Sequence, residues 1–198
     1  MAKRMTTTIR REQIAEAALA LVSEQGVGAF TARNVAQAVG LTAPALYRHF
    51  PGGKADILAS ILDLLDEVKF EGLRKAMEEE GPTLVKLRRC YDLHISVVER
   101  YRALPNLVLS DALWDDAPQL RERLFASHRR QRELTSAIIA QGQARNEIRT
   151  DISPDQIFVQ FLGSFLTIAI LYSRDGTMID PKTQAEASWK IFIQGVAP

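Results

Sequence analysis

The sequence predicts an all-α protein of about nine helices. Apolar residues recur at three- and four-residue spacing through nearly every segment, and no run alternates as a half-buried strand does. Gly26, Gly40, Pro51-Gly52-Gly53, Gly81-Pro82 and Pro118 interrupt the pattern at helix-length intervals. With 198 residues, 46% of them hydrophobic and 25% charged, the chain can bury roughly 70% of its unfolded surface. That supports one sizeable core, or one core with a small accessory domain. There is no internal repeat and no sustained heptad.

The elements follow in order. A first helix over about residues 10–25 places Ile14, Ala18, Leu21 and Val22 on one side and stops at Gly26. Thr31 is a plausible N-cap for a helix over 32–39, which buries Val35, Ala36 and Val39 before Gly40 ends it. A third helix over 44–50 starts with Pro44 in its first turn, where a missing amide is harmless. A long segment from Lys54 to about residue 80 repeats Ile57, Leu58, Ile61, Leu62, Leu65, Val68 and Leu73. Further helices are expected over about 83–99, 104–112, 119–145, 155–173 and 181–195. The boundary at Gly53 divides a small three-helix unit, residues 1–53, from a larger bundle, residues 54–198.

Charge and special residues narrow the classes. The formal net charge is only +1, but residues 1–54 hold seven basic residues (Lys3, Arg4, Arg10, Arg11, Arg33, Arg48, Lys54) against three acids (Glu12, Glu16, Glu24). That asymmetry points weakly to a polyanion. The lone Cys90 excludes an internal disulfide and fits a reducing compartment. No apolar leader precedes Arg10, so a cytoplasmic location is expected. The most apolar run, 157–171, is interrupted by Gln160, Ser164 and Thr167 and falls short of the roughly 20 residues of a membrane span, so a buried helix and no membrane partner are expected. His49, His94 and His128 are far apart in sequence. With no metal-protease, phosphate-loop or nucleophile-elbow pattern, neither an enzyme nor a metal or cofactor site is expected. A cation at Asp115-Asp116 is less economical than a solvated turn before Pro118.

Two short helices joined by Gly40-Leu41-Thr42-Ala43 have the spacing of a helix-turn-helix, whose second helix enters the major groove of DNA with its N-terminal residues on base edges. Leu41 is expected to tuck inward, while Ala36 and Ala45 let the helices cross closely. Thr42, Ala43 and Ala45 surround the start of the reading helix: a hydroxyl that caps the helix or bonds a base, and methyls suited to thymine methyls. Thr31, with the free amides behind it, fits a phosphate. Arg33, Tyr47, Arg48, His49 and Lys54 are the other reachable donors, against alternatives of packing for Tyr47, bracing for His49 and simple solvation for Arg48. Leu46 and Phe50 are core on either reading.

These residues resemble the tetracycline-repressor-like (TetR/AcrR) family of bacterial transcriptional regulators. The resemblance lies in Thr31, Val35-Ala36-Gln37-Ala38-Val39-Gly40, Leu46-Tyr47-Arg48-His49-Phe50 and Lys54. It implies a homodimeric repressor whose first three helices bind a near-palindromic operator in double-stranded DNA and whose remaining helices dimerise and bind a small-molecule effector that releases the DNA. By the same resemblance Thr31, Tyr47, His49 and Lys54 are phosphate contacts, and Thr42, Ala43 and Ala45 lie at the base-reading position. Two departures stand out. The turn Pro51-Gly52-Gly53 has one residue more than the usual two, and Pro44 occupies a position often held by glycine.

In the larger domain, Phe158, Phe161, Leu162, Phe165, Ile168, Ala169, Leu171 and Tyr172 make a helix apolar around much of its circumference, with Trp189, Phe192 and Ile193 as partners. Such a helix needs cover on several sides, from its own bundle or from a second chain. The resemblance implies that the last two helices form a four-helix dimer interface. Leu65, Phe70, Tyr91, His94, Leu107, Trp114, Phe125 and His128 are candidate effector contacts, being aromatic, apolar or singly polar, with core packing as the alternative. The basic run Arg129-Arg130-Gln131-Arg132 is interspersed with acids and reads as a solvated or salt-bridged face. An activator of the same fold, or a helical protein-interaction module, are the competing functions.

Overall fold

The computed structural model describes residues 7–102, 104–110 and 117–198; Lys3, Arg4, Trp114 and Asp115-Asp116 lie outside them. Among the described residues there are nine α-helices and no strand: α1 Thr7–Gln25, α2 Ala32–Ala38, α3 Ala43–His49, α4 Lys54–Glu78, α5 Thr83–Arg100, α6 Leu104–Val108, α7 Pro118–Ala144, α8 Pro154–Arg174 and α9 Pro181–Val196. A single 3-10 turn, Val27–Ala29, links α1 to α2. Helix α3 ends one residue earlier than the spacing predicts: Phe50 is its C-cap at φ −134°, because the following Pro51 disfavours helical backbone at the residue before it. Helix α6 likewise stops at Val108 rather than near residue 112.

The chain forms two compact units, Met1–Asp66 with Ala103–Leu124, and Glu67–Arg102 with Phe125–Pro198. The first unit therefore takes in the opening turns of α4, past the residue 53 boundary read from the sequence. Its buried residues include Ile14, Ala18, Leu19 and Val22 of α1, Val35 and Ala36 of α2, Leu46 of α3, and Ile57, Leu58 and Ile61 of α4, closed by Phe30 and Phe50.

The second unit is organised by aromatic rings. Tyr91 of α5 meets Phe161 and Phe165 of α8 edge-on, both with centroids 6.1 Å away, and Trp189 of α9 at 5.3 Å. Phe192 closes the group against Phe161 and Trp189. Each such pair adds about 0.5–1.5 kcal/mol beyond the area it buries. The Tyr91 hydroxyl, carried into this core, donates to the carbonyl of Ala185 at 3.2 Å, which meets the requirement that a buried polar group find a partner. At the rim, the Arg88 guanidinium binds Glu186 and Asp92, and these two carboxylates raise its pKa, Glu186 foremost.

Helix α8 has 21 residues and is long and apolar enough to cross a membrane by length and composition, which corrects the shorter span read from its most apolar run. Ile157, Phe158, Phe161, Phe165, Ile168 and Ala169 are nevertheless buried in the unit's own interior. The helix starts with a full capping box: Ser153 Oγ accepts from the Gln156 amide, and Gln156 Oε1 accepts from the Ser153 amide.

A small polar group interrupts this apolar interior. The His94 ring stacks on Phe165 with centroids 4.3 Å apart. Its Nδ1 lies 2.6 Å from the Cys90 carbonyl and its Nε2 lies 3.0 Å from the Gln131 side-chain nitrogen. A carbonyl only accepts, so the proton sits on Nδ1 and Nε2 accepts from Gln131. Burial, and secondarily the Lys69 charge, push the His94 pKa from 6.5 down to about 4. Between these values the unfolded chain holds a proton that the native ring does not. Stability should therefore be intact above pH 6.5 and fall as pH drops toward 4, by at most about 3 kcal/mol. Urea midpoints measured at pH 7.5 and pH 5 should separate for the native sequence and draw together in His94→Phe.

Candidate nucleic-acid interface

The interface is built on two helices of seven residues each, too short to persist without tertiary support. Both have a threonine cap. Thr31 Oγ1 accepts from the Asn34 amide at 3.2 Å, and Thr42 Oγ1 from the Ala45 amide at 3.3 Å. Pro44 adds a pre-set first turn to α3. Between the helices, Gly40 has φ +66°. Its amide donates to the Gln37 carbonyl and the Leu41 amide to the Ala36 carbonyl, the paired bonds of a Schellman turn. Leu41 is half-buried rather than a full core plug. Arg10 reaches from α1 to donate to the Val39 carbonyl at 3.3 Å, placing a cation at the C-terminal end of α2, where the helix dipole favours one.

One flank of α3 is anchored and the other is open. Leu46 is fully buried, as is the capping Phe50, and the Arg11 guanidinium lies over the Phe50 ring at 4.9 Å. Thr42, Pro44, Tyr47 and Arg48 are exposed, Ala43, Ala45 and His49 half-buried. Tyr47, at 48% exposure, is the largest apolar body on this face. On α2, Thr31 and Arg33 are exposed. Lys54 opens α4 with its ammonium 5.7 Å from the centre of the Phe30 ring. All ten sequence-predicted interface residues thus lie in the first compact unit, at or beside the helix-turn-helix.

The turn after α3 shows a residue that the sequence reading passed over. Gly53 has φ +60° and donates its amide to the Phe50 carbonyl at 2.9 Å. A methyl placed on Gly53 would approach within 3.1 Å of Tyr47 Cε1. Asp56, in the first turn of α4, accepts from the Gly52 amide at 2.7 Å. The signal for it was an acid three residues into a helix after a glycine, the acidic half of a capping box.

The effector candidates divide between the two units. Leu65, half-buried, and Leu107, buried, belong to the first unit. Tyr91 and His94 share the aromatic core of the second, where Phe125 and His128 are exposed. Phe70 lines a separate groove of about 480 Å³ with Met77, Leu134, Arg74 and Arg130, the Arg130 guanidinium standing 4.4 Å above its ring. Missed by the sequence reading are Gln131 and Thr135, one turn apart on α7; Thr135 is fully buried and its hydroxyl has no hydrogen-bond partner.

Of the sequence-predicted dimer residues, Phe158, Phe161, Phe165, Ile168, Ala169, Trp189 and Phe192 are buried within their own chain, and Leu162, Tyr172 and Ile193 are half-buried. The outward apolar positions are their neighbours: Val159 at 57% exposure, Leu166 at 38% and Ile191 at 70%.

Residues 14–61 match the sequence profile of "Bacterial regulatory proteins, tetR family". That stretch, which lies within the first compact unit, is thus similar in sequence to the family. Over 183 residues, 92% of the chain and 93% of the relative's length, it is 26% identical to the nucleoid occlusion factor SlmA of Vibrio vulnificus (strain YJ016). Among solved structures, the MbdR regulator from Azoarcus sp. CIB superposes with a TM-score of 0.79 at 20% identity, covering 96% of this chain and all of that one. The ketosteroid transcriptional regulator KstR2 of Mycobacterium tuberculosis gives 0.74 at 19% identity, covering 96% and 95%. Those two likenesses carry the fold alone.

Two stability outcomes follow from the local geometry. Thr42→Ala removes the α3 cap and should cost about 1 kcal/mol in thermal or urea unfolding. Gly53→Ala forces a left-handed alanine and should cost roughly 1–2 kcal/mol, whereas Gly28→Ala, whose added methyl meets nothing within 4 Å, should change stability far less.

Proposed function

We propose that the chain is a ligand-responsive transcriptional repressor that binds a near-palindromic DNA operator as a homodimer and leaves it when a small molecule binds. The observation that carries this reading is the open face of α3, with Thr42, Pro44, Tyr47 and Arg48 exposed on a helix whose other flank is locked by Leu46 and Phe50. In this reading Thr42, Ala43, Pro44 and Ala45 face base edges, while Thr31, Arg33, Tyr47, Arg48, His49 and Lys54 hold phosphates. Residues 1–53 supply the reading head and residues 54–198 the effector and dimer functions. The protein works in the cytoplasm without a membrane partner, with Ile157, Phe158, Phe161, Phe165, Ile168 and Ala169 of α8 buried in its own core and the outward apolar positions left for a second copy of the chain.

Dimerisation through α8 and α9 is supported by their outward stripes. Val159, Gly163, Leu166 and Ile170 recur at helical spacing on α8, as do Ala187, Ile191 and Gly195 on α9. A methyl on Gly163 or Gly195 would meet nothing within 4 Å, so a second chain can approach closely there. The buried aromatics named from the sequence then support this face from behind. For the effector, the groove at Phe70 offers an apolar wall of ordinary ligand size. His94, Gln131 and Thr135 offer polar anchors inside the same unit.

Two measurements test this. Tyr47→Phe should weaken binding to the chain's own upstream DNA about tenfold at fixed salt while leaving the melting temperature within a degree or two; loss of stability with unchanged binding would place Tyr47 in packing instead. The double substitution Leu166→Glu and Ile191→Glu should shift the protein from dimer to monomer in sedimentation analysis. A second reading comes from the likeness to SlmA, which is named a nucleoid occlusion factor: the chain would then act on the nucleoid at large. Deleting its gene should in that case displace division sites relative to the nucleoid, whereas a repressor's deletion should raise transcription at its own locus.

A further inference from the structure

We propose that Asp56 is a positioning residue for DNA binding, one that fixes the Tyr47 phenol through the three-residue turn Pro51-Gly52-Gly53. This rests on the DNA-binding reading above.

The contacts form an unbroken path. Gly53 donates to Phe50 and accepts, through its carbonyl, from the Ile57 amide at 3.2 Å. Its amide is therefore already used, and the carboxylate three residues into α4 reaches one residue further back, to the Gly52 amide. The same carboxylate packs on the bare Cα of Gly52, where an added methyl would lie 2.7 Å from Asp56 Oδ1. Gly52 is thus held from the α4 side while Gly53, in left-handed backbone, presents its Cα to the edge of the Tyr47 ring. Tyr47 is 48% exposed and has no side-chain hydrogen bond among the described residues, and the Gly53 Cα is a wall against which its ring is set.

A turn of three residues with two adjacent glycines has more accessible conformations than a tighter one, because glycine loses the most freedom on ordering. A single charge-assisted bond to its middle residue removes that freedom. A carboxylate beside a phosphate-binding surface otherwise opposes DNA by repulsion. Its place here is explained if the ordering it provides outweighs that repulsion, which is screened by salt.

The test is a double-mutant cycle on the full-length protein, with the duplex that the native sequence enriches from a random DNA pool as probe. Asp56→Ala should weaken binding about tenfold, and Asp56→Asn, which keeps an acceptor for the Gly52 amide, should stay within about threefold of the native sequence. In a Tyr47→Phe background, Asp56→Ala should lose less than twofold further, since the phenol it positions is gone. Circular dichroism of each variant identifies any that is unfolded, and Asp56→Asn carries the comparison if Asp56→Ala is. Losses that add independently of Tyr47, or an Asp56→Ala protein that binds as well as or better than the native one, overturn the proposal and leave the DNA-binding reading standing. Failure of the native protein to enrich any duplex overturns both.

Discussion

A helix of seven residues does not hold itself together in water, and the exposed face of this protein rests on two of them. Nucleating so short a helix costs more than its few internal hydrogen bonds return. Helices α2 and α3 persist because Val35, Ala36, Leu46 and Phe50 are removed from water, with α2 packed on α1 and α3 on α2. Fixed ends supply the rest: threonine hydroxyls at both starts, the Schellman pair at Gly40, and the Phe50 to Gly53 bond after α3. Once these are in place the outer flank of α3 has no structural duty left, and polar side chains can occupy it at little cost.

Much of this was readable in the chain. Helices announce themselves by period, and caps by residue type, so the order of elements and the ends of α2 and α3 are legible in Thr31, Gly40, Thr42, Pro44 and the apolar spacing around them. Boundaries were less legible where neighbours decide them, as at Phe50, whose exclusion from α3 depends on Pro51. Asp56 escaped notice because an acid near a helix start is common. Its target, the Gly52 amide, becomes evident only once the turn is folded.

The larger helices show a different limit. Apolar content around most of α8 marks it as needing cover on several sides, but composition does not say which side is covered by the same chain. Folding answers that: the phenylalanines turn inward to Tyr91 and Trp189, and the outward positions fall to Val159, Leu166 and, on α9, Ile191. Effector candidates chosen by residue type meet the same limit, since aromatic residues serve cores at least as often as cavities, as Tyr91 does here. The polar pair Gln131 and Thr135 was hidden on a long, charged helix. Only burial separates these two from the solvated residues around them.

The cap on α3 has a consequence for what this helix can recognise. A threonine hydroxyl offers one proton and two lone pairs, and in Thr42 one lone pair is committed to the Ala45 amide. Under the DNA-binding reading, the group left facing outward is chiefly a donor. In the major groove, purine N7, guanine O6 and thymine O4 are acceptors, while the amino groups of adenine and cytosine are donors. Capping thus tilts Thr42 toward adenine, guanine and thymine, which show an acceptor, and away from cytosine, which shows only a donor, so that a bond holding the protein together also limits its vocabulary.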